Sequence, residues 1–126
     1  MQGSDPAIEQ YGIEVAQVDG AVTASMTVTD TMLNSHGTCH GGLLFLLADT
    51  AFDYTSNGPL PDDQVAFAAH ADIDFTKAAL VGDYLTAVGI HVDGWGRTKL
   101  TDVKITNQRN EPIAYFRGRT RTVTKR

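Results

Sequence analysis

The sequence predicts an α+β fold in which an antiparallel sheet of five to six strands wraps around one long central helix. Three observations lead there. One long apolar segment without strand alternation is preceded by two strand-like segments and followed by four more. The strand-like segments are long, consecutive and joined by short turns, which suits antiparallel pairing. The apolar segment opens Leu43-Leu-Phe-Leu-Leu-Ala48, apolar on every side, so as a helix it needs cover on nearly all faces. A strongly twisted sheet provides that cover. An open sheet with the helix lying against it is the alternative, and it leaves some leucines wet.

The elements follow in order. Residues 5–12 suit a short helix. Residues 13–18 and 21–29 read as strands about a turn at Asp19-Gly20, the second with Val22, Ala24, Met26 and Val28 on one face. Residues 30–40 form a polar loop. Gly41-Gly42 opens the long helix, Leu43 to about Ser56, and Asn57-Gly58-Pro59 stops it. Residues 65–75 alternate, with Val65, Phe67, Ala69, Ala71, Ile73 and Phe75 expected on one face and His70, Asp72 and Asp74 on the other. Strands over 83–93 and 97–107 flank Gly94-Trp95-Gly96, with Trp95 expected to pack at that turn. A last strand spans 112–123 after Asn110-Glu111.

The 126 residues suit one domain over 1–126, and a chain of this size builds a core without disulfides. Its single cysteine, Cys39, excludes an internal bridge and fits a reducing compartment. The start, Met1-Gln-Gly-Ser-Asp5, is polar and acidic where a signal peptide is basic and then apolar. The longest apolar run is far short of the roughly 20 residues that cross a bilayer. The expected location is the cytoplasm, with no membrane partner.

Net charge is −5, which argues against a nucleic-acid partner. The distribution is uneven: residues 1–96 carry a net −12 and residues 97–126 a net +7. A basic end on an acidic protein suggests one localised anionic ligand.

The residues that carry chemistry lie between Asn34 and Asp53. His40-Gly41-Gly42 stands at the helix mouth, where the first N–H groups have no internal partner and the macrodipole adds about half a positive charge. That arrangement suits an oxyanion hole. Asp49 is an acid in an otherwise apolar helix, expensive unless paired or functional. Gly41 and Asp49 are eight residues apart, or roughly 12 Å along one helix. A base and an oxyanion donor acting on one carbonyl both lie within about 3–4 Å of it, so one helix cannot supply both. Two antiparallel copies across a two-fold axis can, in a homodimer with two shared sites.

The stretch Asn34-Ser-His-Gly-Thr-Cys-His-Gly-Gly-Leu-Leu-Phe-Leu-Leu-Ala-Asp-Thr-Ala-Phe52 closely resembles the signature of hotdog-fold thioesterases of the phenylacetic acid degradation type. Asp74-Phe75 before Gly82-Asp83, and Gly96-Arg97-Thr98 opening a strand, resemble the same family, and the likeness covers residues 12–123. The resemblance implies an enzyme hydrolysing aryl-acetyl-CoA and related acyl-CoA thioesters, working as dimers paired into a homotetramer, with no cofactor because coenzyme A is part of the substrate. It implies that Asp49 is the catalytic carboxylate, that the Gly41 N–H polarises the thioester carbonyl, and that Asn34 and His40 line the site. The segment Asn57-Gly58-Pro59-Leu60-Pro61-Asp62-Asp63 departs from the family in being rich in proline and acid.

Coenzyme A carries phosphates that arginine holds bidentately, and Arg97, Lys99 and Arg117 are the candidate holders. Arg117, Arg119 and Arg121 alternate onto one strand face, which also suits a face kept soluble by charge. His36, Cys39 and His40 match no usual zinc spacing, so no metal is expected, and Cys39 reads as a bystander thiol. Asp53, one turn after Asp49, reads as an exposed acid. Two other functions fit the same residues: a hotdog hydratase or dehydratase acting on enoyl thioesters, and a non-catalytic acyl-CoA-binding protein.

Overall fold

A computed structural model describes residues 5–125; Met1 to Ser4 of the polar start and the terminal base Arg126 lie outside them. The chain runs α1 (Pro6–Gln10), β1 (Glu14–Val18), β2 (Ala21–Thr27), α2 (Gly41–Asn57), β3 (Gln64–Phe75), β4 (Tyr84–Trp95), β5 (Thr98–Thr106) and β6 (Pro112–Thr124). The six strands form one sheet in the order β1-β2-β4-β5-β6-β3, every neighbouring pair antiparallel. Among the described residues no helix is long and apolar enough to cross a membrane.

Short connections set this order. Asp19 (φ 51°) and Gly20 (φ 82°) both take positive φ between β1 and β2, as a type I′ hairpin requires. β4 extends to Trp95, so the turn to β5 is only Gly96-Arg97, with Gly96 at φ 58°. Trp95 is therefore a strand residue, 55% exposed, and not the packed turn residue expected from its flanking glycines.

α2 lies on the concave face of the sheet. Leu44, Leu47, Ala48, Ala51 and Phe52 recur at helical spacing and are buried with Met26, Leu85, Ala87, Val103, Ile105 and Phe116. Phe52 sets how closely helix and sheet approach. Its ring packs on Phe116 at 5.4 Å between centroids, and it fills the space that a side chain at Gly118 would need. A Cβ on Gly118 would stand 2.5 Å from the ring, and the ring is buried on all sides. Gly118→Ala is thus expected to cost about 1–3 kcal/mol by overpacking. Adding Phe52→Leu should recover part of the loss; a thermal melt in which the double variant is no better than Gly118→Ala contradicts this packing.

Among the described residues the cover on α2 is incomplete: Leu43, Phe45 and Leu46 pack against the core and are only half-buried. A second departure lies in β3. The pairing with β6 shifts between Ala68 and His70, a bulge that takes up Ala69. One extra residue reverses the facing of everything on one side of it. Ala71 and Ile73 pack against the core as expected, but before the bulge it is Ala66 that is buried, and Phe67 is 60% exposed.

Candidate active site

The loop before α2 is fixed by its own backbone. Leu33 and Cys39 form an isolated bridge, the His40 N–H donates to Met32 O (2.9 Å), and the Cys39 N–H donates to Ala79 O (2.8 Å). The 76–83 segment that supplies Ala79 is held in turn. The Leu80 N–H and Gln108 Nε2 each donate to the Asp83 carboxylate at 2.9 Å, holding it below its ordinary range. Lys77 bonds Glu111 at 3.0 Å, and Asn107, Lys77 and Arg109 together hold the Glu111 carboxyl down at about 2.

His40 caps α2. Its Nδ1 accepts from the Gly42 N–H at 3.3 Å, and its carbonyl accepts from the Leu43 and Leu44 N–H groups. The Gly41 N–H is the first-turn amide left over: among the described residues nothing accepts from it. It stands at the positive end of the helix dipole, beside the ring of Phe75, which passes within contact distance of Gly41 and is itself 54% exposed. Such an amide can stabilise charge developing on a carbonyl oxygen.

Gly42, Leu46, Asp49 and Asp53 share the flank of α2 turned from the sheet, at spacings of four, three and four residues. Asp49 is half-buried there. Burial, then the neighbouring carboxylates of Asp53 and of Asp5 at the start of α1, push its carboxyl above the ordinary range. Asp53 is half-buried rather than exposed; Asn57 Nδ2 donates to its Oδ1 at 2.9 Å, and Asn57 also exchanges two hydrogen bonds with Ala66 of β3.

Asn34 sits in the loop with its amide engaged locally. Its Oδ1 accepts from the His36 and Thr38 N–H groups, and its Nδ2 donates to Thr38 Oγ1 at 2.9 Å. The side chain shapes the loop that delivers His40 and Gly41. Cys39 is buried, and burial pushes its thiol up to about 11, which leaves no thiolate near neutral pH. Among the described residues no group of three or more His, Cys, Asp or Glu side chains is arranged to hold a metal ion.

The three basic candidates separate. Arg97 lies in the β4–β5 turn and Lys99 is the second residue of β5, on the side of Thr101, the helix side, and neither is in an ion pair among the described residues. Arg117 lies on the other side of the sheet, held by Asp102 through two bonds of 2.6 and 2.8 Å. A concavity of about 590 Å³ beside Tyr54, Gly89 and His91 touches neither Gly41 nor Asp49. Phe75 is the site residue that residue-type reasoning missed as a lining group. Its only signal was a place in the Asp74-Phe75 pair before Gly82-Asp83.

Comparisons with known proteins agree on one family. The thioesterase superfamily profile matches residues 36–114. The acyl-coenzyme A thioesterase PaaI of Escherichia coli is 38% identical over 124 residues, covering 98% of this chain and 86% of that protein. Its structure superposes with a TM-score of 0.88, over 96% of this chain and 86% of that one. The phenylacetic acid degradation protein PaaI of Thermus thermophilus follows at 30% identity and a TM-score of 0.84, over 93% and 98% of the two chains. A Streptococcus mutans protein, smu.793, solved bound to acetyl CoA, is 28% identical with a TM-score of 0.79 over 90% of each chain.

Proposed function

The chain belongs to the thioesterase superfamily, and from that premise we propose that it hydrolyses acyl-CoA thioesters to free acid and CoA, with phenylacetyl- and hydroxyphenylacetyl-CoA as its substrates. The E. coli relative is named for acyl-CoA hydrolysis, and the S. mutans relative was solved with an acyl-CoA in place. The observation that carries the reading is a mismatch within one chain. An unclaimed amide at the mouth of α2 and a half-buried acid on its open flank are roughly 12 Å apart along the helix, too far to meet one carbonyl.

Two copies remove the mismatch. β3 is an edge strand, paired among the described residues only with β6. Antiparallel pairing of two such edges about a two-fold axis continues the sheet and lays the two α2 helices side by side in opposite directions. The half-buried leucines of α2 are then covered. The thioester oxygen accepts from the Gly41 N–H of one copy while Asp49 of the other promotes attack at the carbonyl carbon. In the general-base route Asp49 takes a proton from water, the hydroxyl adds to carbon, the C–S bond breaks, and the CoA thiolate recovers the proton. In the nucleophilic route the carboxylate adds to the carbonyl carbon, the C–S bond breaks to expel the CoA thiolate, and water then hydrolyses the mixed anhydride, which frees the acid, restores Asp49 and supplies the thiolate's proton. His40 lines the mouth it caps, and Asn34 holds the loop beside it. Arg97 and Lys99 take the CoA phosphates; Arg117, already paired with Asp102 on the far side of the sheet, is not needed for them.

The test is release of free thiol from acetyl-, medium-chain, phenylacetyl- and hydroxybenzoyl-CoA, followed with a thiol reagent. The expected result is turnover with the highest kcat/KM on the aryl-acetyl esters. Water addition to an enoyl-CoA without thiol release points instead to a hydratase, and tight binding with no turnover on any ester to a binding protein.

A further inference from the structure

The mouth of α2 has a neighbour that the chemistry above does not use. Phe75 closes β3, and Ala71, Ile73 and Phe75 lie two apart on the helix side of that strand. The Phe75 ring leans on the Gly41 backbone: a Cβ on Gly41 would stand 3.2 Å from Cζ and 3.5 Å from Cε1. Gly41 does not take positive φ, so its own backbone does not call for glycine. The ring does. The two residues form one feature, a free amide with an aromatic wall a backbone's width away.

The backbone on both sides of that feature is tied down. Just after the ring, the Thr76 and Lys77 N–H groups both donate to Ile113 O, at 2.9 and 3.3 Å, and Thr76 Oγ1 donates to Pro112 O at 2.9 Å. On the other side, the Cys39 N–H holds the loop before Gly41 to Ala79 O. Phe75 is nevertheless more than half exposed, which leaves a large apolar surface open beside a polar amide. An apolar strip leads away from it. Phe45, one turn along α2 from Gly41, is half-buried with its ring edge-on to Phe116 at 5.3 Å. Phe116 in turn pairs with Ile73, two residues before Phe75.

We propose that Phe75 is the specificity-determining residue for the acyl group, the wall against which an aryl ring packs while the thioester oxygen accepts from the Gly41 N–H. This rests on the thioesterase reading of the mouth. Of the two groups joined to the carbonyl carbon, the acyl group suits the wall better. The pantetheine arm of CoA carries two amides, which are costly to bury against Phe75, Ile73 and Phe45 without polar partners. An aryl ring carries none, and it gains from an offset or edge-on approach at about 4.5–7 Å between centroids. The methylene between ring and carbonyl matters as well. In an arylacetyl ester the ring turns about two single bonds and settles against Phe75. In an aroyl ester conjugation holds the ring in the plane of the carbonyl, whose direction the amide already fixes. An acetyl group has too little surface to use the wall. The order of preference is therefore arylacetyl over aroyl and acetyl.

The test compares phenylacetyl-CoA with acetyl-CoA on the full chain. Phe75→Leu keeps an apolar side chain without the flat ring, at an exposed position on an edge strand. The ratio of kcat/KM for phenylacetyl- over acetyl-CoA is expected to fall about tenfold, the scale of one lost aromatic contact with its buried area. Phe75→Tyr keeps the ring and is expected to hold the ratio near the wild-type value. Equal loss on both esters means that the ring only shapes the mouth or holds the coenzyme arm, and it overturns the proposal, as does an unchanged ratio. Calorimetry repeats the comparison without hydrolysis, on ketone analogues of the two esters in which a methylene separates sulfur from carbonyl. A wild type that releases no thiol, yet prefers the aryl analogue and loses that preference in Phe75→Leu, keeps the wall and removes the hydrolytic reading alone. Analogues that bind alike to the wild type and Phe75→Leu overturn the proposal whether or not thiol is released.

Discussion

Asp49→Asn is expected to lower kcat by about 10²–10⁴-fold, the range contributed by a positioned acid or base, while acyl-CoA still binds. The amide has nearly the same size as the carboxylate and neither accepts a proton at neutral pH nor attacks a carbonyl. Because Asp49 titrates above the ordinary carboxylate range, the wild-type rate should begin to fall at a higher pH than an unperturbed aspartate would impose. The same shift makes a statement about stability. A carboxyl whose folded pKa is raised contributes stability that is full below its unfolded pKa and is lost as pH rises through the folded value. The variant should therefore melt above the wild type at neutral pH, with the difference closing in acid below pH of about 4. Equal loss of turnover and binding, or a variant less stable at neutral pH, contradicts this role.

Gly41→Pro is expected to lower kcat by about 10²–10³-fold, as loss of one oxyanion donor does. Proline removes the N–H and nothing else that the helix uses, because the Gly41 amide makes no bond among the described residues and the first helical position tolerates proline. The residue before it is also suited: His40 has φ −59° and ψ 133°, the extended conformation that precedes proline. The ring must share space with Phe75, whose exposed side chain can turn aside. Circular dichroism and melting should stay close to the wild type. A variant that folds and retains full turnover places the oxyanion elsewhere.

Both effects concern residues visible from sequence, and the reason is local. Asp49 stood out as an acid in an apolar helix, and Gly41 as the glycine after a capping histidine at that helix's start. Element order was legible for the same reason, since Asp19-Gly20, Gly82-Asp83 and Asn110-Glu111 mark turns through backbone preference alone. What failed to show depended on distant parts of the chain. The bulge at Ala69 is set by pairing with β6, and it turned Phe67 outward against a clean alternating pattern. Arg117 looked like a phosphate holder beside Arg97 and Lys99, but its face and its partner Asp102 follow from the β5–β6 register. The all-apolar start of α2 called for burial on every side. The sheet covers one side only, and the rest of that demand points to a second chain.

Mixing two inactive variants tests that shared site most directly. Asp49→Asn and Gly41→Pro chains, co-expressed in equal amounts, form mixed dimers with one site carrying both substitutions and one carrying neither. With half of the dimers mixed and one of their two sites intact, about one quarter of wild-type turnover should return. If mouth and acid act within a single chain, every site in the mixture keeps a defect, and no recovery above the separate variants contradicts the account.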